Sequence, residues 1–191
     1  MCVMPTEGIF AKVIAEGTIK PGDEIVIVPN IRTAIITVSD KGYSGMREDQ
    51  SGPALSAMLK THATICETLI VPDDMDKIKA ALIRISDTGG ADVIFTTGGT
   101  GFAPRDVTPE ATIAVIDRPA PGIPEAMRQE SMKITNRAML SRAVAGIRKN
   151  TLIVNLPGSP KAAVECLEVF LPAMNHAVET LRGDTYECGG K

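Results

Sequence analysis

Tryptophan is absent from the 191-residue sequence, and four Phe and two Tyr are its only aromatic residues. Few platforms are left on which single-stranded bases could stack. An excess of positive charge is lacking too. Twenty Lys and Arg stand against 23 Asp and Glu, for a net charge of −3. A sequence-independent nucleic-acid binder replaces counterions with clustered Lys and Arg, so that class is not expected. No apolar run approaches the ~20 residues that cross a bilayer. Met1 to Pro5 carry no basic leader, which points to the cytoplasm with no membrane partner. The four cysteines, Cys2, Cys66, Cys166 and Cys188, show no C-x-x-C pairing; free thiols are expected rather than zinc or redox chemistry. The two histidines, His62 and His176, lie far apart and read as ordinary helix residues. Neither G-x-G-x-x-G nor G-x-x-x-x-G-K-[ST] occurs, so neither the dinucleotide fingerprint nor the P-loop applies.

What is present is ordinary for a globular chain, with 44% apolar and 23% charged residues. The length suits one domain with some chain to spare. Residues 1–30 read as a β-hairpin extension, with apolar runs Gly8–Val13 and Glu24–Val28 around the turn Pro21-Gly22-Asp23. From Ile31 short strands alternate with helices. Thr33–Val38, Glu67–Val71, Asp92–Thr97 and Thr151–Leu156 are short runs rich in Ile, Val, Leu or Thr that end in polar or glycine residues, as buried parallel strands do. Helical spacing covers Pro53–Thr61, Asp76–Ile85 and Glu125–Arg142, and Pro109–Ile116 follows Thr108 as its cap. Ala143–Ile147 and Thr151–Asn155 flank a hairpin turn. The last helix opens at Ser159-Pro160 and carries a stripe from Ala163 to Leu181; Pro172 is expected to kink or split it, and Gly183 to stop it. Residues 184–191 read as a loose tail. The pattern predicts an α/β fold, a doubly wound, mostly parallel sheet flanked by helices.

In such sheets ligands bind beyond the carboxyl ends of the strands. Ser39-Asp40-Lys41-Gly42-Tyr43-Ser44-Gly45 and Asp49 follow the first strand, and Pro72-Asp73-Asp74 the second. Thr97-Gly98-Gly99-Thr100-Gly101 through Asp106 follow the third, and Asn155-Leu156-Pro157-Gly158-Ser159 the fourth. Glycines let backbone N–H groups approach an anion. A helix start behind Pro157-Gly158-Ser159 favours negative charge. Asp73, Asp106 and Asp40 offer the oxygen ligands that Mg²⁺ takes. Each feature has a plainer reading taken singly: a tight turn at Gly98–Gly101, a cap at Ser159, and helix-start charges at Asp73-Asp74 and Asp106. Four consecutive strand ends of one character favour a shared phosphate and metal site.

Thr96-Thr97-Gly98-Gly99-Thr100-Gly101-Phe102-Ala103-Pro104-Arg105-Asp106-Val107-Thr108-Pro109-Glu110-Ala111-Thr112 resembles the signature of the Mog/MoaB family. That family includes the molybdopterin adenylyltransferases of molybdenum-cofactor synthesis and related domains of gephyrin and its plant counterpart. The resemblance continues in Val38-Ser39-Asp40, Asp49-x-Ser51-Gly52-Pro53, Val71-Pro72-Asp73, Met127-x-Gln129-Glu130-Ser131, Ala138–Arg142, Ala145–Arg148 and Asn155–Gly158, and covers residues 31–183. The competence-damage pattern T-G-G-L-G-P-T-x-D-D and the molybdate-inserting pattern S-G-G-V-S-x-G both differ from it.

The resemblance implies Mg²⁺- and ATP-dependent adenylylation of molybdopterin, with release of pyrophosphate. It gives Asp73 and Asp106 catalytic and metal-holding roles, with Asp74 an alternative to Asp73. Gly98, Gly99, Thr100, Gly101, Ser131, Asn155, Pro157, Gly158 and Ser159 would take the pterin and its phosphate. Ser39, Asp40, Ser44, Gly45 and Asp49 would face the nucleotide. It further implies a homotrimer or hexamer, and hand-over of product to a molybdate-inserting enzyme. Gly8–Val13 with Lys20–Ile25 is similar to the carboxyl end of a MOSC domain. A non-catalytic pterin carrier or assembly module of the same fold is the alternative; neither would need both Asp73 and Asp106 to be acidic.

Overall fold

The computed structural model describes residues 17, 18, 20–22 and 30–183. The hairpin and MOSC resemblance in 1–30 therefore lie largely outside the described residues, as does the tail 184–191. Six strands form one sheet in the order β2-β1-β3-β6-β5-β4. β1 (Arg32–Val38), β2 (Thr64–Val71), β3 (Val93–Thr97) and β6 (Thr151–Leu156) run parallel. β5 (Ala145–Arg148) is antiparallel to β6, and β4 (Arg118–Pro119) to β5. The expected hairpin is thus the β5–β6 pair, turning at Lys149 with φ +51.

Every residue of β3 and β6 is buried, because helices cover both faces. Alternate side chains serve two cores. Ile35, Phe95, Leu152 and Val154 point toward α2 (Ser51–Leu59), α5 (Gly122–Met132) and α6 (Pro160–Arg182). Ala34, Ile36, Ile94 and Ile153 point toward α3 (Met75–Asp87) and α4 (Thr108–Ile113). Phe95 and Phe170 meet edge to face at 6.1 Å. At the amino end of β3, Asp92 accepts from Arg32 and Arg182, tying the end of α6 to the start of β1.

Four expectations change. The helix foreseen over Glu125–Arg142 is α5 to Met132, then a separate 3₁₀ turn, Asn136–Leu140. Thr135 is extended, and its Oγ1 accepts from Arg137 N, so it caps the new turn. Thr108 lies inside α4, with Val107 before it; its Oγ1 donates to Gly98 O at 2.8 Å. Pro172 does not split α6. It sits on the exposed face, where water can satisfy the carbonyl that Pro leaves unpaired. His62 falls in the turn after α2, whereas His176 is helical. Cys66 and Cys166 are free thiols. Among the described residues no helix is long and apolar enough to cross a membrane.

Candidate active site

The chain passes from β1 to β2 on one side, then returns to β3 on the other, so its winding reverses between β1 and β3. Backbone segments crowd together there. Gly98 has φ +104, and a Cβ on it would lie 2.3 Å from Val38 O. Gly99 has φ +63, and its Cβ would lie 2.4 Å from Thr108 Oγ1. Only glycine fits either position.

The loop after β3 is fixed by its neighbours. Thr108 N donates to Gly99 O at 3.1 Å, and Ala103 N to Asp106 Oδ2 at 2.9 Å. Arg142 staples the loop: its N donates to Thr100 O (3.0 Å) and its Nε to Gly101 O (2.7 Å). The rest of its guanidinium engages Asp106 O and the Glu110 carboxylate. Held this way, the N–H groups of Gly99, Thr100 and Gly101 donate to no acceptor among the described residues. Successive unpartnered N–H groups form an anion-binding concavity. The Pro157-Gly158 turn closes against it. Thr97 Oγ1 donates to Pro157 O (2.7 Å), and Ser51 Oγ to Gly158 O (3.0 Å).

Two cavities flank the Gly98–Gly101 stretch of the loop. The first, of about 380 Å³, is lined by Ser39, Arg47, Asp49, Asp73, Gly98, Gly99, Asp106 and Gly158 among others. The second, of about 530 Å³, is lined by Thr100, Gly101, Ser131, Asn155, Pro157, Ser159 and Cys166 among others. Asp73 and Asp106 share the first. Thr100, Gly101, Ser131, Asn155, Pro157 and Ser159 share the second, while Gly98, Gly99 and Gly158 face the first. Ser44 and Gly45 line neither; they end α1 (Asp40–Tyr43), with Ser44 Oγ donating to Asp40 O.

Hydrogen bonding sets Asp73 and Asp74 apart. Asp74 caps α3, its Oδ1 accepting from Asp76 N and Lys77 N at 3.0 Å each. Asp73 is reciprocally bonded to Asp40: Asp40 N donates to Asp73 Oδ2 (2.8 Å) and Asp73 N to Asp40 Oδ1 (3.0 Å). Arg105 grips Asp40 through both carboxylate oxygens, at 2.9 and 2.8 Å. That hydrogen bonding holds Asp40 below the usual carboxylate range. Burial, with the charges of Asp40 and Asp106, pushes Asp73 above it, against the pull of the Asp40 N–H. Asp40 therefore supports Asp73, and its carboxylate is already occupied. Asp49 is also engaged: Oδ2 accepts from Thr37 Oγ1 (2.7 Å) and Oδ1 from Ser51 N and Gly52 N. Asn155 is fully buried, its Nδ2 donating to Thr96 and Thr112 hydroxyls at 2.9 Å each. Ser159 precedes α6 without a side-chain capping bond, leaving its hydroxyl at the second cavity. Ser131 Oγ stands 3.6 Å from Cys166 Sγ.

Three arginines, Arg47, Arg105 and Arg142, were not read from the sequence as site residues. Arg105 and Arg142 lie within the quoted motifs, but their partners are remote in sequence. Arg47 lies in a stretch that carries no motif of its own.

Fold and clefts together define a doubly wound α/β protein with two clefts at its winding switch point. The comparisons narrow the class. A family model described as a probable molybdopterin binding domain matches residues 34–176. The molybdopterin adenylyltransferase of Helicobacter pylori is 40% identical over 166 residues, 84% of this chain and 93% of that protein. Its Escherichia coli counterpart is 44% identical over 151 residues, 78% and 77% of the two chains. The crystal structure of the molybdopterin biosynthesis enzyme MoaB from Thermus thermophilus superposes with a TM-score of 0.77 at 46% identity, covering 82% of this chain and 99% of that one. The chain belongs to the molybdopterin-binding domain family of molybdenum-cofactor biosynthesis.

Proposed function

We propose that this protein is a molybdopterin adenylyltransferase: the terminal phosphate of molybdopterin attacks the α-phosphorus of ATP, a new P–O bond forms, and pyrophosphate leaves. The observation that carries this reading is the pairing of two carboxylates, Asp73 and Asp106, in one cavity, separated only by a glycine loop from a second, more apolar cavity. One cavity suits the nucleotide phosphates and the other the pterin. The substrate brings its own nucleophile, so the protein's task is alignment and charge compensation. The N–H groups of Gly99, Thr100 and Gly101, without an acceptor among the described residues, would donate to phosphate oxygens.

The residues present fit Mg²⁺. No cluster of three or more His, Cys, Asp or Glu of metal-binding form occurs among the described residues. Nucleotide-bound Mg²⁺, however, takes one or two carboxylates and completes its shell with phosphates and water. Asp73 and Asp106 each keep Oδ1 outside any hydrogen bond among the described residues. When bound, the ion would neutralise phosphate charge. We also read the protein as a cytoplasmic homo-oligomer, trimer or hexamer; exposed Ile134, Met139 and Leu140 offer apolar surface for such contacts.

The test is incubation of the protein with molybdopterin, ATP and Mg²⁺. Adenylylated molybdopterin and pyrophosphate are expected in equal amounts. Pterin binding without either product would sink the enzymatic reading in favour of a carrier.

A further inference from the structure

The first cavity is unusually acidic for a site that receives a nucleoside triphosphate. Glu48, Asp49, Asp73 and Asp106 all line it. Among its lining residues Arg47 is the one cation. The other arginines of this edge are engaged elsewhere, Arg105 on Asp40 and Arg142 on Glu110 and loop carbonyls. Arg47 forms no ion pair among the described residues. Its backbone is held by Arg47 N donating to Lys41 O at 3.0 Å. Its guanidinium makes one hydrogen bond there, donating to Ser39 Oγ at 3.2 Å, which holds it beside the end of β1. Ser39 Oγ is itself fixed by Gly42 N at 3.1 Å. A guanidinium has five N–H donors in a planar fork matched to phosphate oxygens, and most of this fork is unengaged.

We propose that Arg47 is a binding residue for the polyphosphate of the nucleotide substrate, supplying in the first cavity the positive charge that its four carboxylates lack. This rests on the assignment of that cavity to ATP. The pterin phosphate is the other anion available, but Arg47 does not line the second cavity.

Full-length wild type, Arg47→Ala and Arg47→Lys are compared in adenylyl transfer, with the KM for ATP and the KM for molybdopterin measured separately. Loss of a charge-assisted, partly exposed contact of this kind corresponds to about a tenfold loss of affinity. Arg47→Ala is therefore expected to raise the KM for ATP about tenfold, with kcat and the KM for molybdopterin within about threefold of wild type; Arg47→Lys falls between. An unchanged KM for ATP, or a rise confined to molybdopterin, overturns the proposal while leaving the adenylyltransferase assignment intact. If wild type transfers no adenylyl group, calorimetric titration with ATP decides instead. Weaker ATP binding in Arg47→Ala supports the role of Arg47. Equal affinity, or no ATP binding by wild type, overturns it.

Discussion

Gly98 and Gly101 stand three positions apart in the same loop, and alanine at each should fail in a different way. A Cβ on Gly98 would sit 2.3 Å from the backbone oxygen of Val38, and φ is +104. The oxygen belongs to a central strand and cannot rotate aside. The unfavourable backbone region costs about 1–2 kcal/mol, and forcing a methyl into a packed site another 1–3. The total is roughly 2–5 kcal/mol, or a fall in Tm of roughly 5–15 °C for a domain of this size. Gly101 has no positive φ, and its Cβ would meet only the carboxylate Oδ2 of Asp106, at 2.8 Å. Ordinary contact needs 3.4 Å or more, so Asp106 must retreat and weaken its bond to Ala103 N. One such partly exposed bond is worth about 1 kcal/mol, and Tm should change by only a few degrees. Misplacing a reacting-site group by about 1 Å can cost a hundredfold in rate. Gly101→Ala should accordingly keep its melting curve and lose about 10- to 100-fold in adenylyl transfer. Differential scanning calorimetry and product formation under saturating ATP are the two readouts. Full turnover in Gly101→Ala, or a melting loss equal to that of Gly98→Ala, would refute the claim that this glycine leaves space for the Asp106 carboxylate.

Asp73→Asn and Asp106→Asn should each lower adenylyl transfer at least about a hundredfold while molybdopterin still binds; turnover and pterin titration separate the two effects. Asn155→Ala removes the donors to Thr96 and Thr112 and the acceptor of Val144 N. Leaving such buried groups unpaired should cost about 2–4 kcal/mol in urea unfolding, whatever the fate of pterin binding. Asp87 is pulled down to about 2 by hydrogen bonds from Arg148 and Lys149. Its folded-state pKa lies below the ordinary carboxylate value, so the stability it lends is complete above about pH 4 and disappears as pH falls toward 2. Acid titration of Asp87→Asn, followed by circular dichroism, should show a shallower loss of stability through that window than wild type.

The difference between what the sequence disclosed and what it withheld is one of range. β6 was readable to the residue because a strand buried on both faces reads as a mostly apolar or β-branched run, and in Thr151–Leu156 Asn155 alone departs from that, its amide paired with the Thr96 and Thr112 hydroxyls. Gly183 was readable as a helix stop, since only its own backbone conformation, φ +80, is involved. The break after Met132 was obscured because the signal sits in one side chain, Thr135, whose capping bond to Arg137 N competes with continuing the helix. Asp73 and Asp74 are the sharper case. As residue types they are identical, and both precede a helix. Asp74 becomes a cap through partners two and three positions on. Asp73 becomes a cavity carboxylate through Asp40, 33 positions away, and Asp40 is held by Arg105, a further 65 along. Those separations are closed only by the strand order β2-β1-β3, which no local pattern encodes. Sequence can therefore nominate the loops that converge at a switch point, because glycine, hydroxyl or carboxylate residues follow each strand. Which carboxylate in each loop faces the cavity is decided by the pairings between loops, and the Arg105–Asp40–Asp73 chain makes that decision here.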